Sequence, residues 1–434
     1  MEKGKKYTKP EWSWIMYDWA NSVYATNIMA AIFPIYFAAI APDGDMWWGY
    51  GTSIATLIVA FLAPILGAIA DYNGMKKKLF TIFLMIGVVF TLTMAFFGPW
   101  QWVLIGYILS YIGFCGSCLF YDSFLTDVTT VDRMDKVSSM GYAMGYIGGS
   151  TIPFIVSIGF VMTIGNTDMP LAIKLSVALT SVWWLLFTIP FLRDVKQVHS
   201  LGEVPKKLAS SAFKNIVSTF KEIVKHKGIL LFILAYFFYI DGVGTVIHMS
   251  TAYGTTLGLD ATGMIIALLV TQLVAVPFSI LFSKIAEKIG SITMLTIAVG
   301  IYIIICITGF YMGYSLEIAA PADYESALKL SNILFWCLAV LVGTCQGGIQ
   351  ALSRSYFGKV IPPKKSSEFF GFFDIFGKFA AVIGPFLYAS IKGITGQSSY
   401  GILSLILLFL IAGVILIAGR REFKKAEAAN ITEE

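Results

Sequence analysis

The sequence predicts an all-α membrane protein with twelve transmembrane helices in two pseudo-symmetric six-helix bundles and both termini in the cytoplasm. The first observation is composition: of 434 residues, 57% are hydrophobic and 13% are charged, about half the charged fraction of an ordinary soluble domain. The second is a series of long uncharged stretches, and the third is the distribution of lysine and arginine. Together these observations exclude a soluble globular protein.

Uncharged stretches define the predicted spans, because a helix needs about 20 apolar residues to cross the hydrocarbon core. Residues 79–121 hold 43 positions without Asp, Glu, Lys or Arg, which is enough for two spans. The other uncharged stretches are residues 19–42, 46–70, 137–167, 175–192, 261–283, 289–316, 330–353 and 393–419. Spans seven and eleven are interrupted only by Asp241, Asp374 and Lys378. This gives twelve predicted helices.

Basic residues set the predicted orientation, because lysine and arginine accumulate on the cytoplasmic side of a membrane protein. With the N-terminus inside, the inner segments hold 27 of the 31 Lys and Arg residues. This asymmetry predicts cytoplasmic termini. It also explains the net charge of +5 without a nucleic-acid partner.

The longest inner loop, residues 193–227, separates an N-terminal bundle (1–192) from a C-terminal bundle (228–419) and a tail (420–434). Apolar residues at helical spacing in this loop predict an amphipathic helix, either on the inner membrane surface or as a solvated linker. Asp18 of span one and Asp241 of span seven lie 223 positions apart, close to half the chain. Parallel six-helix repeats of this kind are typical of the major facilitator superfamily.

The loop after span two carries a motif of the form G-x-x-x-D-x-x-G-x-K-K, which resembles the superfamily's signature between helices two and three. Its members are Gly67, Asp71, Gly74, Lys76 and Lys77. The resemblance is incomplete, because Tyr72 and Met75 stand where the signature has basic residues. The alternative is that this is simply a basic inner loop.

The motif predicts a latch that closes the cytoplasmic side. We expect Asp71 to meet the positive N-terminus of span eleven and the lysines to reach Asp122 or Asp127 at the inner end of span four. Glu287, in the corresponding loop after span eight, and Arg354, at the inner end of span ten, are the expected gate residues of the second bundle.

Three longer segments resemble the vacuole-effluxer branch of the superfamily. They are Y-D-W-A-N-S-V-Y-A-T (17–26), Q-A-L-S-R-S-Y-F (350–357) and E-F-F-G-F-F-D-I-F-G-K-F-A-A-V-I-G-P (368–385). Fungal members of that branch export amino acids from the vacuole, whereas the substrates of prokaryotic members are mostly unknown. The resemblance implies transport of an amino acid or similar solute by a functional monomer. The short outer loops suit a bacterial protein of the cytoplasmic (inner) membrane.

Span one places two polar side chains, Asp18 and Asn21, on one helix face. A charge inside the bilayer costs about 2.5–3.5 kcal/mol on insertion scales, so such residues are candidates for substrate or proton handling. The alternative for Asp18 is a structural hydrogen bond between the bundles.

Span seven places Asp241 near its centre, with Thr245 and His248 on the same face. A buried carboxyl that favours its neutral form is suited to carrying protons. His248 is equally compatible with a packed, hydrogen-bonded role. Gly242 and Gly244 predict a point at which this helix can unwind.

Span eleven carries Asp374 and Lys378 four residues apart. They form either a neutralised structural pair or a site that opens for a zwitterionic solute. Gln346 and Gln350 of span ten are one turn apart and are expected to line the cavity.

These observations predict a secondary active transporter that works by alternating access. We expect protons to be the coupling ion, with sodium ions as the alternative. An exporter of amphipathic or drug-like compounds on the same fold and a non-transporting membrane sensor are the alternatives. No P-loop, G-x-S-x-G or H-E-x-x-H motif occurs in the sequence, so we expect no enzyme, no cofactor and no metal site.

Overall fold

The structure is a computed structural model that describes residues 6–96, 98–205, 208–380 and 382–431. Within these ranges the regular secondary structure is helical. Lys206 and Lys207 of the predicted linker lie outside the described residues, as do residues 1–5 and residues 432–434 of the predicted tail.

The helices follow one another along the chain with short connections. They are α1 (Lys9–Tyr24), α2 (Ile32–Ile40), α3 (Gly44–Ala70), α4 (Met75–Thr93), α5 (Trp100–Ser123), α6 (Leu125–Val128), α7 (Met134–Gly145), α8 (Ile152–Thr163), α9 (Met169–Asp194), α10 (Leu208–Lys225), α11 (Lys227–Thr256), α12 (Ala261–Ile289), α13 (Ser291–Glu317), α14 (Tyr324–Val360), α15 (Ser366–Ala380), α16 (Ile383–Thr395), α17 (Ser398–Ser404), α18 (Ile406–Ala418) and α19 (Arg420–Ile431). Two π-helical segments, Ala25–Ala30 and Tyr146–Thr151, join α1 to α2 and α7 to α8.

In the described part of the chain, ten helical stretches are long and apolar enough to cross a membrane. They correspond to predicted spans two and four to twelve. Predicted span one is divided among α1, a π-helical segment and α2, so neither α-helix reaches that length by itself. Predicted span three is α4, whose first turn holds Lys76, Lys77 and Lys78. The chain is therefore an all-helical, multi-pass membrane protein.

Residue contacts divide the chain into two compact units. Unit 1 comprises Met1–Glu222 and Ile361–Ile375, and unit 2 comprises Ile223–Val360 and Phe376–Glu434. The boundary at 222–223 falls inside the predicted linker. Ile361–Ile375, which include the start of predicted span eleven, belong to unit 1. The predicted division placed the whole of this span in the C-terminal bundle.

Aromatic side chains fill the interior of unit 1 around the first half of α1 and the start of α4. The ring of Tyr17 lies 5.0 Å from that of Phe80 and 4.7 Å from that of Tyr121, and Phe80 lies 4.3 Å from Phe191. Lipid tails are as apolar as these side chains, so close packing rather than escape from water holds the helices together here.

A capping box fixes the start of α1. The Thr8 side chain accepts from the Glu11 backbone, and the Glu11 side chain accepts from the Thr8 backbone. Burial opposes ionisation of Glu11, but hydrogen bonds from Arg133 and Thr129 outweigh it and lower the Glu11 pKa to about 2. An ionised carboxylate therefore ties the N-terminus of α1 to the segment before α7.

Helix interruptions occur in predicted spans one, five, eleven and twelve. In span eleven, α15 ends at Ala380 and α16 begins at Ile383. Pro385 lies just after this break, and a proline has no N–H for the helical bond to the residue four positions earlier. Span seven, which we expected to unwind near Gly242, is the continuous helix α11. Gly242 is a packing glycine, because a Cβ there would lie 2.5 Å from the Phe409 ring.

Candidate gate and ion-binding sites

Asp71 binds the N-terminus of α15. Its Oδ1 accepts a hydrogen bond from the Ser367 backbone at 2.9 Å, and its Oδ2 accepts one from the Glu368 backbone at 3.0 Å. N–H groups in a first helical turn have no partner within the helix, and the helix dipole favours an anion there. This is the contact that the motif predicts, and its role as a gate stays a prediction.

The backbone of α3 approaches α15 closely beside Asp71. A Cβ on Gly67 would lie 2.4 Å from the Ser367 carbonyl oxygen, so only glycine fits without a shift of one helix. Burial raises the pKa of Asp71 to about 6, against the lowering effects of Lys76 and the two backbone N–H groups. Gly74, at φ +72°, makes the left-handed turn into α4.

Lys76 is fully buried and forms an ion pair with Asp127. The Nζ–Oδ2 distance is 2.7 Å, and Nζ also donates to Ser366 Oγ at 2.8 Å. The other oxygen of Asp127 accepts from the backbone N–H groups of Val198 and His199 at 2.9 and 2.8 Å. Both charges of this buried pair therefore have further hydrogen-bond partners, as a desolvated ion pair requires.

The first part of the linker packs against the motif loop, which the sequence did not predict. Lys77 Nζ donates to the Val195 carbonyl at 2.7 Å. The Gln197 amide donates to the carbonyls of Ala70 and Tyr72, each at 3.1 Å. A polar run directly after α9 was the available signal, since it can satisfy the free carbonyls at the end of α3.

Asp18 lies in α1 and is 9% exposed. The Tyr121 hydroxyl donates to its Oδ2 at 2.7 Å. Asn21 faces the same helix, α5, where its amide lies 3.8 Å from Cys118 Sγ. Tyr121 is thus a partner of the span-one site that sequence reasoning missed. In this arrangement the phenol is a hydrogen-bond donor that stabilises a carboxylate at Asp18.

Asp241 binds the N-terminus of α16. It is 2% exposed, and its Oδ2 accepts from the Gly384 backbone at 2.8 Å. The Thr245 hydroxyl lies 3.4 Å from its Oδ1. Asp71 and Asp241 therefore share one chemistry, because each supplies a carboxylate to a helix N-terminus in predicted span eleven, and each does so within its own unit.

A pocket within unit 2 is formed mainly by apolar side chains of α11, α12, α13 and α14. Tyr253, Gln272 and Gln346 contribute polar groups to its wall. Gln272 Oε1 is buried without a hydrogen-bond partner among the described residues. The Gln350 amide, one turn further along α14, donates to the Gln346 carbonyl at 3.0 Å. His248, by contrast, is exposed on α11.

The remaining predicted site residues are placed as follows. Asp374 and Lys378 are half-buried on α15, and whether they form a solute site stays a prediction. Arg354 is buried near the end of α14, whereas Glu287 is exposed near the end of α12. Asp122 is half-buried on α5, and the pair described above uses Asp127 instead.

Comparison with known proteins decides the family. The family model described as "Vacuole effluxer Atg22 like" matches residues 48–130 and 126–429. The chain belongs to the Atg22-like family of major facilitator transporters. An uncharacterised MFS-type transporter of Bacillus subtilis, YxiO, is 45% identical over 425 residues, covering 95% of each chain. Autophagy-related protein 22 of Yarrowia lipolytica is 28% identical over 69% of this chain. This chain spans about half (53%) of that fungal protein's length.

Solved structures support the fold of this Atg22-like protein. A bacterial homologue of the iron transporter ferroportin, in an outward-facing state, gives a TM-score of 0.67 at 14% identity, over 94% of this chain and 98% of the other. The proton:xylose symporter XylE gives 0.64 at 13% identity, over 94% and 93%. At these identities the likeness concerns the major facilitator fold alone.

Proposed function

We propose that this Atg22-like protein is a secondary active transporter that moves a small polar solute, an amino acid or a similar compound, by alternating access coupled to protons. Family membership supplies transport as the class of activity. The observation that supports coupling is the buried Asp241 carboxylate at the N-terminus of α16.

The chemistry of that contact links a proton to a change of shape. An ionised Asp241 stabilises the Gly384 N–H and the dipole of α16. Protonation removes the charge and weakens this hydrogen bond, because bonds to charged groups are about twice as strong as neutral ones. Discontinuous helices near the bilayer midplane are where transporters bind solutes and coupling ions. A proton on Asp241 therefore loosens α16 next to such a discontinuity.

The solute class is proposed from the relatives and from the charged residues of α15. The family is described as vacuole effluxers, and its fungal members export amino acids. A zwitterion carries both signs of charge, as do Asp374 and Lys378 together. Sodium coupling is the alternative for the ion.

The membrane topology is part of the same proposal. Twelve spans result if α1 with α2, and α4, cross the membrane together with the ten stretches that meet the length and hydropathy requirement. Both termini are then cytoplasmic, as the excess of lysine and arginine requires. We propose bundles at 1–192 and 228–419, a linker at 193–227 and a functional monomer in a bacterial cytoplasmic membrane.

Uptake by proteoliposomes tests this function. Purified protein is reconstituted, a pH gradient is imposed, and accumulation of radiolabelled amino acids, peptides, sugars and nucleosides is measured. We expect one class of solute to accumulate with wild-type protein and Asp241→Asn to abolish the pH-driven accumulation. Asp260→Asn is the matched control, because the Asp260 carboxylate also caps a helix N-terminus in unit 2 but is exposed. If Asp241→Asn accumulated the solute as well as wild-type protein does under the pH gradient, Asp241 would have no role in proton coupling.

The apolar pocket favours a second candidate, export of amphipathic compounds. Its wall is largely aliphatic and aromatic, with the Gln272 acceptor as one polar handle. Competition separates the two functions. Inhibition by unrelated hydrophobic cations, without inhibition by amino acids, would support the amphipathic exporter.

A further inference from the structure

Glu368 takes part in the Asp71 contact only through its backbone N–H. Its side chain is fully buried, at 0% exposure. Neither Oε1 nor Oε2 has a hydrogen-bond partner among the described residues. A second carboxyl group therefore lies at the first turn of α15, next to the buried carboxylate of Asp71, without the donors that Asp71 has.

The charged and polar groups that act on Glu368 come from three neighbouring elements. They are Asp71 after α3, Lys365 before α15, and Glu222 and Thr219 on α10. Lys365 is engaged with Glu222, at an Nζ–Oε2 distance of 2.6 Å. The Thr219 hydroxyl is buried and interacts with the Glu368 carboxyl, but the two groups do not reach the geometry of a formed hydrogen bond.

Lys76, the fully buried cation that acts on Asp71, is also engaged with other groups. Lys76 Nζ donates to Asp127 and to Ser366, both within 2.8 Å. An ionised Glu368 would thus be a buried charge without a dedicated counter-ion, close to a second anion. Burial of an unpaired carboxylate is costly, and two adjacent carboxyl groups do not both ionise readily.

We propose that Glu368 is a proton-binding residue of the cytoplasmic latch, protonated while α15 packs on α3 and deprotonated towards the cytoplasm when that contact opens. The neutral acid has an O–H that can donate to Thr219 Oγ after a small rotation. Asp71 stays ionised and holds the helix N-terminus. Proton binding at Glu368 is independent of the solute, whereas its place in a transport cycle rests on the proposed function.

This second proton site differs from Asp241 in position and in consequence. Asp241 is near the centre of α11, and its protonation weakens a helix-capping contact. Glu368 is near the cytoplasmic end of predicted span eleven. Its protonation strengthens the capping contact of Asp71 with α15, because it removes the repulsion between the two carboxylates. Thr219 connects the site to the amphipathic linker helix α10, so the linker is placed to respond to the same proton.

Infrared difference spectroscopy of the purified protein tests the proposal without any transport assay. A protonated carboxylic acid has a carbonyl stretch that a carboxylate lacks. We expect a band that persists at neutral pH in wild-type protein and in Glu325→Gln, whose exposed carboxyl is far along the chain at the start of α14. Glu368→Gln should lack it. Because Asp241 is itself a proposed proton site, the comparison is made in an Asp241→Asn background. In that background, a neutral-pH band as strong in Glu368→Gln as in its parent, or no such band in the parent, would overturn the proposal.

Asp71→Asn provides a second variant if Glu368→Gln does not fold. Removing the neighbouring anion makes Glu368 easier to ionise, so the band should disappear at a pH lower by about one unit. An unchanged titration would show that the band does not belong to a group beside Asp71 and would contradict the proposal. Absence of solute uptake by the wild-type protein, with both titrations as expected, would instead reject the proposed function and leave proton binding at Glu368 in place.

Discussion

Replacing Asp71 by asparagine should open the contact between α3 and α15. The carboxylate accepts two backbone hydrogen bonds, at 2.9 and 3.0 Å, in a fully buried setting. Hydrogen bonds to charged groups contribute about 1.5–3 kcal/mol each. Asparagine keeps one oxygen acceptor and turns an N–H group towards the other backbone donor, so one bond is lost and one donor is left unsatisfied. We expect a loss of about 2–4 kcal/mol from the closed contact.

Cysteine labelling measures that loss. Ser367 is fully buried beside Asp71, so Ser367→Cys in a background without the native cysteines reports opening by its rate of maleimide labelling. Since 1.4 kcal/mol corresponds to about tenfold in population, the Asp71→Asn variant should label about 30- to 1000-fold faster. Asp132→Asn, an exposed carboxyl of unit 1, should leave the rate unchanged. A rate in Asp71→Asn equal to that of its parent would refute the latch.

Three further predictions concern the end of unit 1 that holds the motif loop. Glu11→Gln should lower the free energy of unfolding by about 3 kcal/mol at pH 7, because the pKa of the Glu11 carboxyl is lowered to about 2. The difference in stability between wild type and variant should vanish as the pH falls from 4.5 towards 2, and a difference that does not depend on pH would contradict this prediction. Gly67→Ala should slow transport severely, because the added Cβ would lie 2.4 Å from the backbone carbonyl oxygen of Ser367. Gly49→Ala on the same helix should not slow transport, because a Cβ there would have no neighbouring atom within 4 Å. Asp127→Asn should cost about 3–5 kcal/mol in thermal unfolding by stranding Lys76, and the double replacement Lys76→Met with Asp127→Asn should recover part of it.

Sequence reasoning reached the partners of Asp71 and Lys76 because a motif specifies them. The long separation in sequence between each residue and its partner did not prevent this prediction, because the signature describes one recurring contact between helices. The unpaired side chain of Glu368 was not predictable, because a single glutamate in an apolar run shows neither its depth nor its neighbours. Tyr121 was missed for the same reason, as nothing in span four marks that side chain as the donor to Asp18.

The helix interruptions show a second limit of the sequence. Pro385 signals the break before α16, and it could have led to Gly384 as the donor to Asp241. The sequence pointed instead to Gly242 and Gly244, yet α11 is continuous there. Proline removes a backbone hydrogen bond, but Pro64, Pro190 and Pro277 lie inside continuous helices, so neither glycine nor proline locates a break by itself.

The most direct test of proton-coupled transport is solute-driven proton movement. Proteoliposomes with a pH-sensitive dye inside, and no imposed gradient, receive the solute identified by uptake. We predict a change in internal pH with wild-type protein and with Asp260→Asn, and no change with Asp241→Asn. Solute uptake by the wild-type protein without any change in internal pH would contradict the account.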